Sequence, residues 1–197
     1  MAVIMQPNPR KTQTFRHLGQ VDISKLKTAV LALTENDWDA ENADKPNRFE
    51  ALDTTRHIVF RFVANVRDWR DSYDRPLWAE WKHLLLPVLE SATAAYGYER
   101  GSYPRIMLAR MAAGGIIKPH RDANPAAKWP HKIHIPILTN DRVIFRVEGA
   151  ERVMAEGEAI EVNNMGVHAV ENRGNTDRIH LIFEYYDLSQ ADPSWVV

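Results

Sequence analysis

The 197-residue chain contains no cysteine. This absence excludes a disulfide framework and any metal site built on thiolates. The net charge is only −1 at pH 7 with histidine neutral, so neither nucleic acid nor an anionic membrane is favoured as a partner. No apolar stretch reaches the roughly 18 residues that predict a transmembrane helix. Because the N-terminus also lacks the pattern of a signal peptide, we expect a soluble cytoplasmic protein.

The composition that remains is typical of a globular protein. Hydrophobic residues make up 45% of the chain and charged residues 26%. A chain of this length buries a substantial core within one domain, so a single domain over residues 1–197 is predicted. The sequence leaves the oligomeric state open.

The most specific feature is His120-Arg121-Asp122, followed later by His168. On a strand, side chains two positions apart share a face, so His120 and Asp122 are expected to project together. Two imidazoles and one carboxylate form the facial triad that binds non-haem iron(II) and leaves coordination positions open. We therefore predict that His120, Asp122 and His168 are the metal ligands and the catalytic centre of an oxygenase.

Arg178 stands at the start of an apolar β-type run, after a turn rich in asparagine and glycine. A β-hairpin between this run and the segment of His168 would return Arg178 to the metal end of the site. A guanidinium pairs with a carboxylate through two parallel hydrogen bonds and stays charged at physiological pH. Arg178 is therefore predicted to bind the distal carboxylate of 2-oxoglutarate.

Taken together, these motifs resemble the aspartyl/asparaginyl β-hydroxylase family of iron(II)/2-oxoglutarate dioxygenases. The similar elements span about residues 100 to 187 and are His-x-Asp, Lys132–Pro136, Asn164–Asn172, and Arg178 with its apolar run. The resemblance implies the same iron ligands, Arg178 as the 2-oxoglutarate anchor, and His134 as a second contact to this co-substrate. Lys132 is a departure, because an arginine is expected at that position.

The resemblance and the strand pattern together predict an α+β fold, a double-stranded β-helix (a jelly-roll or cupin-like barrel) with supporting N-terminal helices. Residues 101–187 are expected to form the β-helix core with the metal site, and residues 1–100 a mostly helical and loop support region. Helical spacing predicts helices from Asp22 to about Asn36 and from about Pro76 to Tyr96. The polar composition of residues 37–53 predicts a long loop.

Other candidates for the pocket are less specific. Arg110 precedes the triad on a β-type run, and either faces solvent or a pairing partner, or faces the pocket and binds a carboxylate of co-substrate or substrate. His180 shares a strand face with Arg178 and is expected to be an inward structural histidine. The loops at residues 37–53 and 123–130 are candidates for the pocket mouth, with an ordinary surface connection as the alternative.

The function predicted from the sequence is hydroxylation of an unactivated carbon by an enzyme that uses iron(II) and 2-oxoglutarate. The family resemblance suggests an amino-acid side chain as the substrate, in a free amino acid or within a peptide or protein. Two alternatives stay open. One is a cupin-type metal enzyme that does not use 2-oxoglutarate, and the other is a non-catalytic β-barrel binding module.

Overall fold

The computed structural model describes residues 11–122 and 124–189. These residues form twelve strands and three α-helices. The elements are β1 (Phe15–Gln20), α1 (Ser24–Leu31), α2 (Glu35–Ala43), β2 (Thr55–Asn65), β3 (Asp68–Asp74), α3 (Leu77–Thr93), β4 (Gly101–Ser102), β5 (Ile106–Met111), β6 (Ile116–His120), β7 (His131–Leu138), β8 (Val143–Val147), β9 (Ala150–Arg152), β10 (Glu158–Val162), β11 (His168–Asn172) and β12 (Arg178–Asp187). In this part of the chain no helix is long and apolar enough to cross a membrane.

The strands form two antiparallel sheets. The major sheet has eight strands in the order β1-β10-β7-β12-β5-β2-β3, with β4 paired to β12, and the minor sheet has four in the order β6-β11-β8-β9. An apolar cluster that includes Met111, Phe145, Val162 and Val170 joins strands of both sheets. This arrangement is a double-stranded β-helix supported by helices, so the predicted fold class is confirmed.

Strand β12 shows how alternation divides the major sheet into two faces. Ile179, Leu181 and Phe183 belong to the largest hydrophobic cluster, which also contains the apolar residues of α1 and α3. Arg178 and Glu184, which lie an even number of positions apart, face the interior cavity instead. The helices therefore cover the outer face, and the inner face lines the cavity with Arg178 and Glu184 among mostly apolar side chains.

Helix α3 is the principal cover of that outer face. Its buried residues recur at helical spacing, with Trp81, Leu85, Val88 and Leu89 at most 8% exposed. The helix matches the predicted one, although its α-helical part ends at Thr93. A 3-10 turn follows, and Gly97 closes it in the left-handed region with φ 64°.

The predicted helical and loop support region, residues 1–100, also contributes strands in the part that the structure describes. Strand β1 pairs with β10, and β2 pairs with both β3 and β5, so the N-terminal half supplies three strands of the major sheet. Strands β1 and β2 pair with strands distant in sequence, and no local pattern identifies those partners. Residues 1–10 lie outside the described residues.

Residues 37–53 are also not a continuous loop. Helix α2 occupies the first part, and a 3-10 turn covers Glu50–Leu52. Thr34 caps α2, since its hydroxyl accepts a hydrogen bond from the Asp37 amide at 3.3 Å and its own amide donates to the Asp37 carboxylate at 2.7 Å. Trp38 is only 1% exposed and anchors the helix to the core.

The hairpin predicted between the strands of His168 and Arg178 does not form. Strand β11 pairs with β6 and β8 in the minor sheet, whereas β12 pairs with β5 and β7 in the major sheet. The turn between them passes from one sheet to the other. Asn172 fixes this turn, because its side-chain amide donates to the Thr176 carbonyl at 2.9 Å and to the Ala112 carbonyl at 3.1 Å.

Candidate active site

The three predicted metal ligands converge. His120 ends β6, Asp122 follows two residues later, and His168 begins β11. Strands β6 and β11 are antiparallel neighbours, and His168 lies directly opposite His120 with 4.2 Å between ring centroids. One candidate ligand atom from each of the three residues lies within 4.8 Å of the other two. This spacing suits a single metal ion.

Backbone carbonyls orient both imidazole rings. His120 Nδ1 lies 2.8 Å from the Lys118 carbonyl, and His168 Nδ1 lies 3.0 Å from the Gly166 carbonyl. Because a carbonyl only accepts, Nδ1 is the donor in each contact, and Nε2 is the ring nitrogen left to bind a metal. Metal-binding histidines are usually held in this way by a bond from the other ring nitrogen.

The Asp122 carboxylate is ionised and held in place. Burial alone would raise its pKa, but the adjacent Lys132 ammonium, together with His168 and His120, holds the pKa of this carboxyl well below its usual range. Lys132 contacts Asp122 Oδ2 directly, and the Asn164 side-chain amide donates to the same oxygen at 3.3 Å. Burial also lowers the pKa of His168 to about 4, so this imidazole is neutral at pH 7.

The three residues line a cavity of about 260 Å³. Both histidines stand on the wall formed by the minor sheet. The facing wall, from the major sheet, contributes Arg178, His134 and Glu184. Apolar side chains make up most of the remaining surface, so water is partly excluded from the space around the candidate ligands.

Arg178 is a buried cation whose hydrogen bonds are mostly unmade. It is 1% exposed, and its Nη2 lies 2.7 Å from His180 Nδ1. Its Nε and Nη1 are buried and have no hydrogen-bond partner among the described residues. Burial lowers the pKa of this guanidinium to about 9. A buried charge is costly unless it is paired. Arg178 is therefore suited to bind an anionic ligand.

His134 lies on β7, opposite Ile182 of β12 and near Arg178. Its Nδ1 is buried without a partner in the described part of the chain. Burial, with Arg178 and Lys132 nearby, keeps the pKa of His134 well below its ordinary value, so the ring is neutral. A neutral ring with an unused nitrogen can bond to a ligand in the cavity.

Arg110 does not face the pocket. The sequence allowed it to face the pocket, but the structure places it outside the cavity, on β5. Its Nε donates to Asp177 at 2.6 Å, its Nη1 donates to Glu35 at 2.7 Å, and its guanidinium stacks on Trp38 at 5.7 Å. These partners satisfy the cation and fasten α2 to the sheet, so Arg110 does not bind the co-substrate.

The sequence did not predict a pocket role for three polar residues of the lining. Arg105 and Glu184 form a buried ion pair in the wall. His57 lies there as well, 2.8 Å from Asn47 Nδ2 and 3.0 Å from Thr55 Oγ1. Alternation along β12 contained a signal for Glu184, since it lies six positions from Arg178 and therefore on the same face.

The two predicted border segments contribute in part. From residues 37–53, Asn47, Phe49 and Leu52 line the cavity. From residues 123–130, Asn124 and Ala127 do so, while Ala123 lies outside the described residues. Whether either segment moves when a substrate binds stays a prediction.

A double-stranded β-helix with two histidines and a carboxylate on its inner face defines a class of metal-dependent enzymes. The chain belongs to the aspartyl/asparaginyl β-hydroxylase family, whose model matches residues 85–187. It is therefore an oxygenase of the iron(II)- and 2-oxoglutarate-dependent class. No curated protein sequence matches the chain significantly.

Solved structures share the fold at low sequence identity. AviO1 from Streptomyces viridochromogenes Tue57 is 15% identical, with a TM-score of 0.57 over 91% of this chain and 92% of its own. A 2OG-Fe(II) oxygenase family oxidoreductase from Burkholderia pseudomallei is 15% identical, with a TM-score of 0.53 over 85% and 91%. HygX from Streptomyces hygroscopicus, solved with nickel and 2-oxoglutarate, is 10% identical, with a TM-score of 0.53 over 90% and 84%.

Proposed function

We propose that this protein hydroxylates an amino-acid side chain, in a free amino acid or within a peptide or protein. In this proposal His120, Asp122 and His168 hold iron(II), and Arg178 holds 2-oxoglutarate. One observation carries it, namely that a three-residue metal cluster and a buried guanidinium with unmade hydrogen bonds share one cavity.

The residues fit iron(II). Two neutral imidazoles and an ionised carboxylate are the donor set that this metal takes in oxygenases. Nδ1 of each histidine contacts a carbonyl, so Nε2 of each ring is the atom left to bind the metal. The ligands come from one side of the cavity, so the coordination positions toward the major sheet are left for co-substrate and oxygen.

The residues also fit 2-oxoglutarate. A guanidinium pairs a carboxylate through two parallel hydrogen bonds, and the buried Nε and Nη1 of Arg178 supply two such donors. His134 offers a further unpartnered nitrogen in the same cavity. Holding the distal carboxylate there would leave the 2-oxo acid end to reach the metal.

Bound iron and 2-oxoglutarate would supply the oxidising chemistry, in which 2-oxoglutarate loses carbon dioxide and dioxygen gives one atom to succinate and one to the substrate. The protein's own residues orient these groups and keep the cavity dry. Asp122 is a carboxylate and not a small residue, so no ligand position is vacated for chloride. This supports hydroxylation over halogenation.

Turnover with defined substrates tests the proposal. The protein, iron(II) and 2-oxoglutarate are mixed in air with free amino acids or with short peptides. Succinate is quantified, and the molecular masses of the amino acids or peptides are measured by mass spectrometry. We expect iron-dependent succinate and a gain of one oxygen in at least one amino acid or peptide.

His120→Ala is the inactive control, because it removes one ligand. Metal-dependent turnover of a substrate without 2-oxoglutarate would favour a cupin-type metal enzyme that does not use this co-substrate, and no turnover of any kind would favour a binding module. Succinate together with oxygen gain only in compounds that are not amino acids would overturn the substrate assignment alone.

A further inference from the structure

A buried ion pair forms part of the cavity wall close to the candidate metal ligands. Arg105 precedes β5, and Glu184 lies beside it on β12, where the Glu184 amide donates to the Arg105 carbonyl at 3.0 Å. The side chain of Arg105 is 8% exposed and that of Glu184 is 3% exposed. Both residues line the cavity.

The pair does not use all of its hydrogen-bonding capacity. Arg105 Nη1 donates to both carboxylate oxygens of Glu184, at 2.6 and 2.7 Å, and Nη2 donates to Asn124 Oδ1 at 3.3 Å. The guanidinium also stacks on Phe62 at 5.2 Å. A guanidinium has five donors and a carboxylate about four acceptor sites, so both groups can bond to a ligand as well.

Stability alone does not explain an ion pair at this place. Removing two charges from water costs several kcal/mol per ion, and well-packed apolar residues of similar volume are often as stabilising. The rest of the inner wall of this cavity is largely apolar. A buried pair of opposite charges is therefore better explained by the recognition of a charged ligand.

The pair is separated from the proposed co-substrate anchor. Arg178 and Glu184 are six residues apart on the same face of β12, which is about 20 Å at roughly 3.3 Å per residue. Lys132 faces Glu184 across β7 and β12 and also contacts Asp122. The pair thus lies near the candidate metal ligands, but on the side away from Arg178.

We propose that Arg105 and Glu184 bind the α-carboxylate and α-ammonium groups of a free amino acid whose side chain is oxidised. This inference rests on the proposed function and narrows its substrate class. A zwitterion brings one charge of each sign, so each member of the pair gains a partner and no buried charge is left unpaired. A residue inside a peptide has no such charges on its main chain.

Calorimetry on the loaded enzyme tests the inference. The protein is saturated with iron(II) and 2-oxoglutarate under nitrogen and titrated with each of the proteinogenic L-amino acids. Each titration is repeated with the matching N-acetyl amino-acid amide, which has the same side chain without the two charges. We expect at least one free amino acid to bind tenfold or more tightly than its blocked form.

The double variant Arg105→Met/Glu184→Met removes both charges and avoids an unpaired one. We expect it to lose the preference for the free amino acid and to bind 2-oxoglutarate within about twofold of wild type. Arg152→Met/Glu158→Met is the matched control, since this ion pair lies outside the cavity and should leave the preference intact. If the first double variant does not fold, Glu184→Gln, which keeps the side-chain shape, should still weaken binding at least tenfold.

Three results would overturn the inference. They are equal binding of free and blocked forms, binding of none of the free amino acids, and an unchanged preference in the folded double variant. In each case intact 2-oxoglutarate binding would leave the proposed oxygenase function standing. Failure of the wild-type protein to bind 2-oxoglutarate would contradict both proposals.

Discussion

At the scale of single residues, the cavity brings together groups whose usual partners are missing from its walls. The Nε and Nη1 atoms of Arg178 and Nδ1 of His134 are buried and unpartnered among the described residues. Buried polar groups are normally hydrogen-bonded, and exceptions tend to mark ligand sites. These unmade bonds support the proposed co-substrate site independently of the motif that predicted it.

Replacing Arg178 with lysine should weaken 2-oxoglutarate binding by at least tenfold, because an ammonium cannot reproduce the two parallel hydrogen bonds of a guanidinium. Iron(II) binding should be unchanged. Calorimetry under nitrogen measures the two affinities, by titrating the metal-free variant with iron(II) and the iron-loaded variant with 2-oxoglutarate. Arg110→Lys is the matched control, since Arg110 lies outside the cavity, and an equal loss in both variants would remove the assigned role from Arg178.

His57 should make folding sensitive to acid. Burial lowers its pKa to about 3, whereas an unfolded histidine titrates near 6.5. Between these values the unfolded chain binds a proton that the folded chain does not, so stability falls as pH falls through this window. In His57→Gln the pH dependence of the unfolding free energy between pH 6 and 4 should be shallower by roughly 1 kcal/mol per pH unit.

Urea denaturation of the metal-free protein at several pH values measures this slope. His83→Gln serves as the control, because His83 is exposed on α3. Identical slopes in wild type and His57→Gln would show that His57 is not the group that takes up the proton.

At the scale of elements, the sequence predicted strands that have apolar β-type runs. It missed helix α2, which depends on contacts with residues distant in the chain. The predicted β-type runs of Arg110 and Arg178 correspond to β5 and β12. Helix α2 has only one strongly buried residue, Trp38, and no apolar stripe, so helical periodicity did not reveal it. Its capping box and its contacts with β2 stabilise it instead.

The same limit applied to the site. The spacing of His120, Asp122, His168 and Arg178 was readable in the sequence. The sequence did not show which sheet each strand would join. Arg178 reaches the cavity from the major sheet, which faces the strands of the two histidines, and not through a hairpin. The pairing of Arg105 with Glu184 was hidden for the same reason, because β5 and β12 are neighbours only in the folded sheet.

Thr34→Ala should lower the free energy of unfolding by about 1 kcal/mol, since it removes the side-chain cap of α2. Thr34→Ser keeps the hydroxyl and should cost much less. Urea denaturation of the three proteins under identical conditions gives the comparison. If the alanine and serine variants are equally stable, the cap does not stabilise α2.

At the scale of the whole molecule, each of the two sheets contributes a different set of residues to the proposed site. The minor sheet presents the candidate metal ligands, and the major sheet presents the candidate anchors for co-substrate and substrate. Helices α1 and α3 cover the outer face of the major sheet and leave the space between the sheets free. The central claim is that this space holds one iron ion on which 2-oxoglutarate binding depends.

Equilibrium dialysis under nitrogen tests this claim most directly. Iron(II) bound per chain is measured first, and 2-oxoglutarate binding is then measured with and without iron, in wild type, His168→Ala and the surface control His83→Ala. Wild type and the control should bind one iron(II) per chain and should bind 2-oxoglutarate at least tenfold more tightly with iron than without it. His168→Ala should lose both properties while remaining folded. Undiminished iron binding by folded His168→Ala would contradict the account.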